Sequence, residues 1–251
     1  MTQKIISVVN QKGGVGKTTT AINVAAQLAS NGSVLLLDLD PQGNATSGIG
    51  LAKDQPLNTY DVLCKGISLA DAVKSTHVAQ LYVLTANADL AVAEVELVDK
   101  AEREFALRKA LGSSAYEYII IDCPPSLGLL TINALTASNY VLIPVQAEYY
   151  ALEGLSQLLE TIQVVRERTN PNLELLGVLL TMFDKRNSLS EQVFNEIKNY
   201  FGEKFFNSVI PRNVRLAEAP SYGQTIYEHD KWSKGARTYR SLTKEVISRL
   251  R

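Results

Sequence analysis

Short runs of consecutive apolar residues recur at Ile5 to Val9, Val34 to Leu37, Leu81 to Leu84, Tyr118 to Ile121, Tyr140 to Val145 and Leu175 to Leu180. Their near-continuous Val, Ile and Leu content predicts strands buried on both faces, as in a parallel sheet. Helix-compatible stretches separate most of them, with long helices predicted over Thr18 to Ser30, Leu90 to Leu111, Leu155 to Arg168, Ser190 to Tyr200 and Gly235 to Leu250. Strand alternating with helix is the βαβ pattern, which covers a sheet on both sides and opens its ligand sites at the carboxyl ends of the strands. The polar motifs of this chain fall at those ends.

At 251 residues and 46% hydrophobic, the chain suits one large α/β domain spanning residues 1–251, with no internal repeat, low-complexity tract or interdomain linker. Cys64 and Cys123 are far apart and lack CxxC spacing, so neither a disulfide framework nor a zinc site is expected. No apolar run approaches the roughly 20 residues needed to span a bilayer, and no basic-plus-apolar leader opens the chain. A cytosolic protein is expected. The net charge of −1 hides an asymmetry: residues 1–184 hold 12 Lys/Arg and 19 Asp/Glu, whereas residues 185–251 hold 13 and 7. Positive charge concentrated at one end can build a basic field that suits phosphate-backbone binding despite an acidic total.

Between the first strand and the first helix lies Lys12-Gly13-Gly14-Val15-Gly16-Lys17-Thr18, followed by Thr19. Glycines let the backbone turn through positive φ and present successive N–H groups to an anion, and the following helix adds the positive end of its dipole. Lys17 supplies a cation for phosphates and Thr18 a hydroxyl for Mg²⁺. The usual G-x-x-x-x-G-K-[ST] pattern would need glycine at position 11; Gln11 stands there, and Lys12 adds a second lysine.

Two further strands end in carboxylates. Val34 to Leu37 runs into Asp38-Leu39-Asp40-Pro41-Gln42-Gly43, where Pro41 and Gly43 turn the chain away. By residue type alone Asp38 and Asp40 serve equally as turn and cap residues. Tyr118-Ile119-Ile120-Ile121-Asp122 has the form of a Walker B strand that delivers one carboxylate toward a metal, usually through water.

The loop resembles the deviant Walker A sequence, K-G-G-x-x-K-[ST], of the ParA/MinD ATPases. The Asp38-to-Gly43 segment resembles the D-x-D-P-Q-[GS] switch of ParA-type members. Further similarity runs through Leu127 to Leu135, Ile143 to Gly154 and Ile210 to Ser221, and the pattern as a whole is similar to the small Soj-type partition proteins. The resemblance implies an α/β, single-domain P-loop NTPase with a mostly parallel, doubly wound sheet flanked by helices. It implies ATP and Mg²⁺ as cofactors, with Lys12 reaching the phosphates of a partner subunit in an ATP sandwich dimer. The nucleotide site would comprise Lys12, Gly13, Gly14, Val15, Gly16, Lys17, Thr18 and Thr19, with Met182, Phe183, Pro211, Arg212 and Asn213 bordering the adenine. Asp40 would place or activate the attacking water, and Lys12 and Lys17 complete the catalytic set. Thr18, Asp38, Asp40 and Asp122 are the candidate metal residues, Asp38 more as a shell or structural partner. Cys123 directly follows the Walker B aspartate, unlike the cluster cysteines of the related nitrogenase iron protein, so both cysteines are expected to be buried apolar residues.

In a helix over residues 234–251, Lys234, Arg237, Ser241, Lys244, Ser248 and Arg251 share one face, while Tyr239, Leu242, Val246 and Leu250 share another. Such a stripe alone reads as solvated surface. The resemblance turns it toward non-specific double-stranded DNA, with Arg186, Arg215, Lys231, Lys234 and Arg237 as contacts. It further implies hydrolysis stimulated by a ParB/Spo0J-like protein and a cytoplasmic, nucleoid-associated location. The rival is a MinD-like positioning ATPase whose terminal amphipathic helix enters lipid. The apolar face suffices for docking on the domain, so no stable membrane association is expected. A metabolic P-loop ligase or reductase component finds no substrate or cluster motif.

Overall fold

The computed structural model describes residues 3–112, 114–148 and 151–250, with the side chains of residues 151–153 outside that description. Arg251 of the basic stripe and Tyr149 and Tyr150 of the matched segment lie outside it. Among the described residues one sheet contains Lys4–Val8 (β1), Val34–Asp38 (β2), Lys74–Ser75 (β3), Leu81–Leu84 (β4), Tyr118–Asp122 (β5), Tyr140–Gln146 (β6) and Glu174–Thr181 (β7). Their spatial order is β3-β4-β2-β5-β1-β6-β7, and only the β3–β4 pair is antiparallel. The helices of the first half are Lys17–Leu28 (α1), Asn44–Gly48 (α2), Thr59–Cys64 (α3), Leu69–Ala72 (α4), Leu90–Val98 (α5) and Ala106–Leu111 (α6). Those of the second half are Leu129–Ala137 (α7), Ala151–Arg168 (α8), Ser188–Phe201 (α9), Val214–Glu218 (α10), Ile226–Asp230 (α11) and Lys234–Arg249 (α12).

The period of two along each strand divides the apolar residues between two cores. Leu35, Leu37, Ile119, Ile121 and Ile143 point to one face and pack with Leu90, Leu97, Leu107 and Leu130. Ile6, Leu36, Ile120 and Leu142 point to the other and pack with Leu28 of α1 and with Tyr239, Leu242 and Val246 of α12. Burial on both faces explains why the strands read as unbroken apolar runs. The docking face expected for the terminal helix is therefore present: Tyr239, Leu242, Val246 and Leu250 are buried, and Lys234, Arg237 and Lys244 are exposed.

The six sequence-predicted strands are all present, with ends shifted by a residue or two. The helix expected over Leu90 to Leu111 is not continuous. It stops at Val98, a single 3₁₀ turn covers Arg103–Phe105, and α6 begins at Ala106. Glu102 adopts a left-handed φ of 54° at the break. The cause is tertiary: fully buried Asn133 of α7 donates to the Arg103 carbonyl (2.9 Å) and accepts from the Leu107 N–H (3.1 Å), groups a continuous helix would pair internally. The expectation for the cysteines holds for Cys123, which is buried, and not for Cys64, which ends α3 only partly covered; burial still pushes its thiol up to about 11. The two-residue β3 is too short to leave a periodic signal.

Replacing Asn133 with alanine would leave the buried Leu107 N–H without its partner and free the part-buried Arg103 carbonyl. We expect Asn133→Ala to lower stability by about 3 kcal/mol. Urea unfolding midpoints measure it, and a loss below about 0.5 kcal/mol would contradict the stapling role.

Candidate functional site

The phosphate-loop, aspartate-turn and Walker B motifs lie at the carboxyl edge of the sheet, because parallel strands end on the same side. The glycine-rich loop follows β1, the Asp38-to-Gly43 turn follows β2, Asp122 ends β5, Glu148 follows β6, and Met182–Phe183 follow β7. Gly14 and Gly16 have φ of 75° and 86°, so the loop uses the left-handed conformations that glycine makes available. Side chains outside the glycine pattern hold the loop in place. Asn10 accepts from the Lys12 N–H (2.9 Å) and donates to the Pro144 carbonyl (2.7 Å). Gln11, the departure from the usual pattern, donates to the Gly154 carbonyl (3.1 Å). Thr181 donates to the Val15 carbonyl (2.8 Å) from the end of β7.

The charges beneath the loop are unbalanced. Register aligns Asp38 with Asp122 across adjacent β2 and β5. The buried Lys17 ammonium donates to the Lys12 carbonyl (3.0 Å) and feels Asp122 and Asp40; burial nonetheless lowers its pKa. Asp38 is held near 6, pushed up by burial against the pull of its hydrogen bonds. Its carboxylate accepts from Thr46 N–H (2.8 Å), Thr46 Oγ1 (2.7 Å) and Asp40 N–H (3.2 Å). Asp40 accepts from Gln42 N–H (2.9 Å), an arrangement that caps the turn. Asp122 differs from both: its two oxygens are buried with no hydrogen bond of ordinary length among the described residues, and only the nearby Thr18 hydroxyl and the Lys17 charge favour its ionised form. Burial first, and the charge of Asp38 second, raise its pKa well above the ordinary 3.8.

The four expected metal residues are thus not equivalent. Among the described residues no three acidic, histidine or cysteine groups form a metal cage. Asp38 is spent on Thr46 and the Asp40 N–H, while Asp122 alone offers two unengaged buried oxygens. That donor set fits Mg²⁺, which is held by one or two protein groups and completes its shell with waters and phosphate oxygens. It does not fit an all-protein cation site.

Lys12 forms an ion pair with Glu148, both side chains half exposed, so its ammonium lies on the surface beside the loop rather than inside it. Sequence reasoning gave Glu148 no role. Of the residues expected around adenine, Phe183 and Pro211 form a parallel bridge, and the Arg212 N–H donates to the Phe183 carbonyl (3.2 Å). Met182 turns the chain with a left-handed φ of 52°, and Asn213 caps α10. Phe183, Pro211 and Arg212 line a groove of about 1220 Å³ that also receives Arg186, Lys234 and Arg237. Two sets read separately from the sequence therefore share one groove. Arg186 is 90% exposed and grips Asp184 bidentately (3.1 and 2.9 Å), which holds the Asp184 carboxyl near 2. Arg215 sits apart, paired with Glu218 (3.0 Å) and Asp230 (3.7 Å), and Lys231 lies over the Trp232 ring. Lys234 and Arg237 have no ion-pair partner among the described residues.

Asp122 carries a stability prediction whose sign follows from its raised pKa. Below about pH 4 the carboxyl is neutral folded or unfolded and imposes no penalty; the penalty grows as pH rises above 3.8 and is complete above the raised folded-state value. Asp122→Asn is expected to melt several degrees higher than the parent at pH 7.5 without nucleotide, with the gain shrinking toward pH 4. Thermal melts across that range would refute the assignment if the variant were less stable at pH 7.5.

Comparison with known proteins bears on the same edge of the sheet. A family model described as an AAA domain matches residues 3–175. The chain is 56% identical over 249 residues to the sporulation initiation inhibitor protein Soj of Bacillus subtilis, covering 98% of each. It is 52% identical over 246 residues to the chromosome-partitioning ATPase Soj of Thermus thermophilus, covering 98% of this chain and 96% of that one. The fold matches the solved structure of cobyrinic acid a,c-diamide synthase from Mycobacterium smegmatis with bound ADP and magnesium, at TM-score 0.87 and 37% identity over 99% of this chain and 96% of that one. With a phosphate loop, a carboxylate-ended second strand and an unengaged Walker B aspartate on one sheet edge, and with this identity over nearly its whole length, the chain belongs to the Soj/ParA family of chromosome-partitioning ATPases.

Proposed function

We propose that the chain, acting as one ATPase domain, is a nucleotide-driven partition switch. Its ATP-bound form pairs with a second copy and binds double-stranded DNA without sequence preference; hydrolysis, stimulated by a ParB/Spo0J-like protein, resets it. The observation that carries the reading is the buried, unpartnered Asp122 carboxylate beneath a loop that holds Lys17 and two left-handed glycines. Such a carboxylate is costly in the free protein and becomes useful when a cation–phosphate pair arrives. A relative with bound ADP and magnesium supports the same ligands.

In this reading the loop N–H groups and Lys17 bind the phosphates, and Thr18 and Asp122 hold Mg²⁺, directly or through water. Mg²⁺ there would neutralise phosphate charge as it develops. Asp40, fixed by the Gln42 N–H and by its own N–H to Asp38, orients the attacking water. Lys12 must leave Glu148 to reach across to a second subunit, so phosphate and Glu148 compete for one ammonium. ATP then acts through its differential affinity for paired and unpaired chains. DNA would meet the groove lined by Arg186, Lys234 and Arg237, and the protein would be cytoplasmic and nucleoid-associated. A MinD-like membrane role is the weaker reading: no helix of the described residues is long and apolar enough to cross a membrane, and the apolar face of α12 is already buried on the sheet.

Two outcomes test separate parts. Lys12→Ala should keep nucleotide affinity within about threefold while losing the ATP dimer in analytical ultracentrifugation; intact dimerisation would end the cross-subunit role. Asp40→Ala should accumulate as ATP dimer and bind random-sequence duplex with ATP and not ADP. Its affinity should fall steeply in a salt series, because each phosphate contact releases counterions. Absence of ATP-dependent binding at low salt, with dimer present, would remove DNA from the proposal.

A further inference from the structure

Trp232 is the one tryptophan of the chain and is 77% exposed, on the turn between α11 and α12. An indole held in water is a cost that a folded protein ordinarily removes by packing. Other exposed aromatics lean on neighbours: Tyr222 stacks on His229 and Tyr200 meets Phe201 edge-on. Trp232 has no ring partner and no hydrogen bond to its indole N–H among the described residues, and Lys231 alone lies over it, 5.3 Å from the ring centroid.

The turn that carries it is fixed from below. Asp230 accepts from the Trp232 N–H (3.1 Å) through a side-chain oxygen and from the Ser233 N–H (3.1 Å) through its carbonyl, and Ser233 caps α12 by accepting from Ala236 (3.1 Å). Asp230 also pairs with Arg215 (3.7 Å). Trp232 thus stands on a buttressed turn beside Lys231 and two residues before Lys234, the first residue of α12, while Asp230 is engaged by the turn and by Arg215. An exposed aromatic face with cations beside it in the chain suits a polyanion that also offers flat rings and sugars; it repels a basic peptide.

We infer that Trp232 is a DNA-contact residue, laying its indole against the sugar and base surface of a groove while Lys231, Lys234 and Arg237 take flanking phosphates. The inference rests on the DNA reading above and adds a non-ionic contact to it. Pre-organisation on a hydrogen-bonded turn limits the entropy lost on contact. A wedge of this kind grips any sequence, because every base pair offers sugar and apolar edges.

The unique tryptophan makes the test direct. Protein pre-loaded with a non-hydrolysable ATP analogue is titrated with random-sequence duplex, reading the anisotropy of labelled DNA and, separately, the tryptophan emission. The inference expects quenching or a spectral shift with the same midpoint as the anisotropy. Trp232→Ala should bind roughly tenfold more weakly with an unchanged slope of log affinity against log salt, while Lys231→Ala should lower that slope by about one. Trp232→Phe should recover most of the lost affinity. Emission that stays unchanged while duplex binds overturns the inference whatever the variants do. Failure of the parent protein to bind duplex at low salt removes the DNA reading and this contact with it.

Discussion

Asp38 and Asp122 stand side by side because β2 and β5 pair in parallel register, and Asp40 joins them two residues on. One buried ammonium, Lys17, faces this group. Three buried carboxylates against one buried cation cannot all be satisfied by it, and the protein divides the burden unequally. Asp38 accepts hydrogen bonds from Thr46 that stabilise its charge while burial pushes its pKa up to about 6, Asp40 is turned into a cap, and Asp122 has no hydrogen bond of ordinary length among the described residues. The rest of the edge is organised around that deficit of positive charge: a glycine loop open to phosphates, and a second lysine kept outside on Glu148. A ligand that brings its own cation would relieve that deficit.

The same geometry links the phosphate loop to the far surface. α1 begins at Lys17, and its next turns are tied to the C-terminal helices by buried hydrogen bonds: Thr20 Oγ1 with Tyr239 Oη (3.0 Å), and the Asn23 side chain accepting from the Ile226 N–H (2.9 Å). Tyr239 is fully buried between them. The helix that opens on the nucleotide and the helix that carries the basic face are thus parts of one packed layer. Contiguous buried side chains, rather than a flexible connection, join the loop to the basic surface.

A second tie runs through the switch turn. Thr46, which donates to Asp38, also accepts from the Ala86 N–H (2.9 Å) just past β4, and Gly43 sits so close to Ala86 that a Cβ there would lie 2.5 Å from its carbonyl. The turn that carries Asp40 is thus packed against the segment following β4. Its placement depends on small residues and on a threonine whose role the motif itself does not announce.

Local chemistry alone determined much of this protein. The six apolar runs specified their strands because each is buried on both faces, and the lysines, glycines and aspartates of the loop and strand ends declared a phosphate site because few other structures ask for them in that order. The long helix that the pattern from Leu90 predicts is broken by Asn133, distant in sequence, which takes two backbone groups out of helical pairing. The motifs already set Asp38 apart as a shell or structural partner of the metal and Asp122 as its Walker B carboxylate; packing supplied the Thr46 hydrogen bonds that engage Asp38 and the burial that leaves Asp122 without one. The groove shared by Phe183, Pro211, Arg186 and Lys234, the Lys12–Glu148 pair and the upright Trp232 belong to tertiary structure as well. Residue type and spacing carry the chemistry a segment can perform. Which charges are buried, which are paired and which face each other is decided when strands of distant sequence are brought into register.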